Sequence, residues 1–71
     1  MNLASNMIEL LKKLMGREDL TFQEASELIQ WVMSEDAVAV QASALLVLLH
    51  AKGITDEEMA GAAYAHAGKG F

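Results

Sequence analysis

Two histidines and ten carboxylates are the side chains of this chain best suited to acid–base or metal chemistry. A helical zinc site needs histidines paired at i, i+4 and at least one further donor. His50 and His66 fall in separate helical stretches. The acids gather elsewhere, at Glu24 and at Asp56, Glu57 and Glu58, where helices are expected to begin. Helix capping accounts for these acids without catalysis, so no catalytic or metal-ligating residue is assigned. His50, in a last helical turn, is read as a favourable partner for C-terminal carbonyls. Ser5, Ser26, Ser34 and Ser43 have no histidine at a spacing that suggests a nucleophile and its base. Gly68-Lys69-Gly70 shares composition with a phosphate loop, but the preceding strand, the first glycine and the following helix are missing. Residues 68–71 are therefore expected to form a flexible tail behind a helical domain of residues 1–67, and no cofactor is expected in this chain.

The elements that position these residues read as four helices. The first is predicted over Leu3–Met15, with Asn2 as N-cap and Gly16 as the left-handed residue that ends it. Leu3, Met7, Leu10 and Leu14 recur at helical spacing, widened by Ile8, Leu11 and Met15, and Glu9 and Lys13 form an i, i+4 pair. Thr21 and Glu24 make a capping box for the second helix, which buries Ala25, Leu28, Ile29 and Val32, turns Gln23, Glu27 and Gln30 to water, and stops near Met33 or Ser34. Ser34-Glu35-Asp36 is expected to supply the next cap. The third helix, about Ala37–Ala51, is apolar nearly all round, so it needs cover on most sides. Gly53 ends it. Thr55 and Glu58 form a second capping box, with a staple between Ile54 and Met59, and an alanine-rich fourth helix runs over Asp56–Ala67.

Seventy-one residues make one small domain, of which about 60% of the unfolded surface can be buried. There is no proline and no cysteine, and the hydrophobic fraction is 54%. This combination favours an all-α bundle of four short helices with no sheet, and it excludes disulfide and thiolate-metal frameworks. The net charge of −5 and the scatter of Lys12, Lys13, Arg17, Lys52 and Lys69 argue against a nucleic-acid partner, which needs a basic face. No signal peptide is visible. The apolar stretch Ala37–Leu49 falls short of the ~20 residues that span a bilayer, so a cytoplasmic protein with no membrane partner is expected. Two broad apolar helices in so small a chain leave surface to cover. A homodimer is therefore expected, with Leu3, Met7, Leu10, Leu11, Leu14, Val40 and Leu48 as candidate subunit interface.

The order LTxxEAxxL, VM, Q, LL, L, KGxTxEExAGAA resembles the N-terminal helical domain of anthranilate phosphoribosyltransferase and its relatives. It is carried by Leu20, Thr21, Glu24, Ala25, Leu28, Val32, Met33, Gln41, Leu45, Leu46, Leu49, Lys52, Gly53, Thr55, Glu57, Glu58, Met59, Ala60, Gly61 and Ala63. Pyrimidine nucleoside phosphorylases have a related helical domain and are less similar. The resemblance implies a small helical domain joined to a large α/β domain. That large domain would hold a glycine-rich loop for phosphoribosyl pyrophosphate and acids for Mg2+, with the active site in the cleft between the domains. It also implies dimerisation through the small domains, with the first and third helices prominent. Glu35 stands where the family usually has glycine, and His50 where it usually has a basic residue. The glycine-rich loop would follow Phe71, so the 71 residues are expected to be inactive by themselves. The alternative is a stand-alone homo-oligomeric interaction module without enzymatic activity.

Overall fold

Local chemistry punctuates the chain into four helices: α1 (Ser5–Met15), α2 (Phe22–Val32), α3 (Ala39–Lys52) and α4 (Asp56–His66). The computed structural model describes residues 3–68. Among them there is no strand, as the composition requires. The predicted cap Asn2 and the tail residues 69–71 lie outside the described residues.

Both capping boxes form. Thr21 accepts from the Glu24 N–H while Glu24 accepts from the Thr21 N–H, and Thr55 and Glu58 repeat the arrangement at α4. Where no such reciprocal pair exists, the boundaries shift. α1 begins at Ser5, not Leu3, behind Ala4 without a side-chain cap. α3 begins at Ala39, not Ala37, and none of Ser34, Glu35 and Asp36 caps it. The Ser34 hydroxyl donates to the Trp31 carbonyl at 2.7 Å, closing α2, and extended, β-branched Val38 becomes the uncapped N-cap of α3.

The end of α1 also differs from expectation. Gly16 stays right-handed, with φ −83°, and Arg17 takes the left-handed position at φ 60°. The Glu18 N–H reaches the Lys13 carbonyl at 2.9 Å and the Arg17 N–H the Leu14 carbonyl at 3.0 Å, which together make a Schellman motif one residue later than predicted. Gly53 does turn left-handed after α3, at φ 99°.

The core is built by Met7, Leu10 and Leu14 of α1, Leu20, Ala25 and Leu28 at and within α2, and Leu45 and Leu49 of α3. Leu3, Leu11, Trp31, Val32 and Leu48 pack around it. α4 adds no large apolar side chain. Its contribution is proximity: Gly61 and Ala65 are buried, and α4 packs against α2 more extensively than any other pair of helices does. A Cβ on Gly61 would collide with the Phe22 carbonyl oxygen and stand 3.1 Å from the Ala25 Cβ. Phe22 and Tyr64 close the same seam with ring centroids 5.3 Å apart.

Candidate functional site

The densest polar arrangement is a buried charge node where α1 and α3 end and α2 and α4 begin. The sequence places it: Lys52 precedes the Gly53 stop, and the Thr55 capping box fixes Glu58 one turn into α4. Glu58 is 1% exposed. Its carboxylate accepts from the Leu20 N–H at 2.6 Å, the Thr55 N–H at 2.8 Å and the Lys52 ammonium at 2.9 Å. Lys52 donates in turn to Asp19 at 2.9 Å and to the Gly53 carbonyl at 2.7 Å, so its three protons are all engaged. One residue earlier, Glu57 accepts from the Phe22 N–H at 2.9 Å, so α4 supplies a cap to the start of α2. A second, half-buried pair braces the same end: Lys13 donates to Glu24 at 2.7 Å. This pair replaces the predicted Glu9–Lys13 contact; Glu9 instead faces Lys12 at 3.9 Å.

The electrostatics follow from these partners. Burial alone would push the Glu58 carboxyl up, but the Leu20 and Thr55 N–H groups and the Lys52 ammonium outweigh it and hold it below the usual carboxylate range. Glu24 is held down in the same way, by Lys13 and Thr21 against its own burial. Burial pulls the Lys52 ammonium down, and Glu58 and Asp19 more than restore it, to above the ordinary lysine value. Lys13 is raised chiefly by its hydrogen bond to Glu24.

Every buried side-chain nitrogen and oxygen among the described residues has a hydrogen-bond partner. The node ties the ends of α1 and α3 to the starts of α2 and α4. His50 and His66 are exposed at the ends of α3 and α4. Ser26 is buried and accepts from the Gln30 amide at 3.3 Å. Among the described residues no group of three or more His, Asp or Glu could hold a metal ion, and no helix is long and apolar enough to cross a membrane.

The candidate interface residues separate into inner and outer sets. Met7, Leu10 and Leu14 lie in the core of this chain and are not surface. Leu3, Leu11 and Leu48 pack on its margin. Only Val40 is strongly exposed, at 72%, and the residue that joins it is Val47, at 64%. Ala44 and Ala51 are also exposed. Residues 40, 44, 47 and 51 alternate steps of four and three, which makes an apolar seam along α3 opposite its buried Ala42, Leu45 and Leu49. The cover that α3 was expected to need is thus provided on one side only. At the end of the bundle away from the charge node, Leu3, Ala4, Trp31 and Asp36 line a hollow.

With that geometry in place, the model of the glycosyl transferase family, helical bundle domain, matches residues 8–70. The chain belongs to this family. It is 41% identical over 58 residues to the anthranilate phosphoribosyltransferase of Chloroflexus aurantiacus, covering 82% of this chain and 17% of that protein. It is 38% identical over 58 residues to the bifunctional protein TrpGD of Thermotoga maritima, covering 82% of this chain and 10% of that protein. With the Methanococcus maripaludis anthranilate phosphoribosyltransferase it shares 41% over 56 residues, or 79% of this chain and 17% of that protein. The chain thus spans about a sixth of the length of the curated anthranilate phosphoribosyltransferases it matches. No solved structure matches it significantly.

In this glycosyl transferase helical bundle domain, the residues that carry the sequence resemblance have structural work. In KGxTxEExAGAA, Lys52 and Glu58 form the node, Gly53 the turn, Thr55 the cap, Glu57 the cross-cap and Gly61 the close approach to α2. Sequence reasoning found the cap and the turn, and missed Asp19 and the depth of Lys52. The available signal was a lysine placed directly before a helix stop and an acid-rich helix start.

Proposed function

We propose that this chain is the N-terminal helical domain of an anthranilate phosphoribosyltransferase-like enzyme of tryptophan biosynthesis. Identity of 41% across 82% of the chain to one such protein is the observation that carries this. On this proposal the domain forms the subunit contact and one wall of the substrate cleft and supplies no catalytic side chain. Transfer of phosphoribose from phosphoribosyl pyrophosphate to anthranilate, with its Mg2+, belongs to a large α/β domain, and the protein works as a cytoplasmic homodimer. A saturated charge node and an uncovered apolar seam on α3 suit a scaffold better than a catalyst. The 71 residues, assayed for anthranilate consumption with Mg2+ and phosphoribosyl pyrophosphate, should show none. Turnover above background would overturn the assignment of all chemistry to another domain.

A stand-alone homo-oligomeric interaction module is the second reading. It is favoured by one observation: the described residues satisfy all their buried polar side chains without outside help. The coding sequence after the codon for Phe71 separates the two. An in-frame glycine-rich α/β domain supports the enzyme, and a native stop codon supports the module.

A further inference from the structure

We draw no further inference here: the strongest candidate, the hollow around Trp31 and Asp36 at the end of the bundle where α1 begins and α2 ends, is an open, mixed apolar and acidic surface, and nothing in the structure shows what fills it.

Discussion

Glu58 satisfies two backbone N–H groups and a buried ammonium at once, so its loss should cost more than the loss of any one partner. Lys52 keeps Asp19 and the Gly53 carbonyl when Glu58 is lost, so the cost falls on the Leu20 and Thr55 N–H groups left unpaired, about 1–3 kcal/mol each. At about 0.05–0.15 kcal/mol per residue, a chain of 71 residues holds roughly 4–11 kcal/mol in total. Glu58→Ala should therefore remove a large share of the stability and bring the urea midpoint, followed by circular dichroism, well below that of the natural sequence. Lys52→Met should be milder, since Glu58 keeps both N–H partners; equal midpoints for the two variants would refute the ranking. The same groups set the pH response. Glu58 and Glu24 ionise more readily folded than unfolded, so their contribution is full above the unfolded carboxylate value of 4.5. It is lost as pH falls from there through the lower folded values. Lys52 and Lys13 bind protons more tightly when folded. Their contribution is full below 10.5 and fades as pH rises through the higher folded values. Thermal melts should show a plateau across neutral pH with an acid limb, and Glu24→Gln should flatten that limb. Arg17 gives a prediction of opposite sign. A side chain at φ 60° costs roughly 1–2 kcal/mol that glycine avoids. Arg17→Gly should raise the melting temperature by about 4–8 °C per kcal/mol regained, and a lower melting temperature would show that the arginine side chain contributes something the backbone does not reveal.

At the scale of elements, the legible features were those written in adjacent residues. Thr21 with Glu24, Thr55 with Glu58, and Gly53 between helices each need only their own neighbours, and all three form as read. The α3 start was misread because no side chain caps it: its N-cap is the extended Val38, and a start without a capping residue leaves no local mark in the sequence. The charge node was illegible for a related reason. Asp19 meets Lys52 across a separation of 33 residues and Leu20 meets Glu58 across 38, and no periodicity reports such pairings. Gly61 is one of several small residues in an alanine-rich helix whose thinness admits a neighbouring backbone, and what singles it out is the Phe22 carbonyl facing it. Alanine is the better helix former by about 1 kcal/mol, so propensity alone says Gly61→Ala should stabilise. Contact with backbone says the reverse, because the Phe22 carbonyl cannot swing away as a side-chain tip would, and overpacking costs about 1–3 kcal/mol. Gly61→Ala should lower the melting temperature, while Ala60→Gly, on the exposed side of α4, should lower it by helix propensity only. A rise in melting temperature for Gly61→Ala would mean that α2 and α4 separate easily.

Taken whole, the molecule has one closed end, where two lysines brace four helix termini, and an apolar flank on α3 that no other described residue covers. Its radius of gyration is 11.0 Å, the value of about 11 Å expected for a compact chain of this length. A stable protein contact buries about 800 Å2 per partner, roughly a fifth of the 4479 Å2 this chain exposes. With a net charge of −5, two copies repel over most orientations. The outward side of α3, with Val40, Ala44, Val47 and Ala51, carries no formal charge, so two copies meeting there bring no like charges directly together. Substitutions can now separate core from seam, which the stripe read from sequence could not. Leu10→Glu places a charge in the core and should unfold the chain, so its mass says nothing about assembly. Val47→Glu changes a side chain that is 64% exposed and should leave the helical content and melting temperature of the monomer intact. If the α3 seam joins two copies, sedimentation at tens of micromolar should give a dimer for the natural sequence and a monomer for Val47→Glu. A dimer that survives both Val47→Glu and Val40→Glu would move the contact off α3, and a monomeric natural sequence would remove homo-association from the role of this domain.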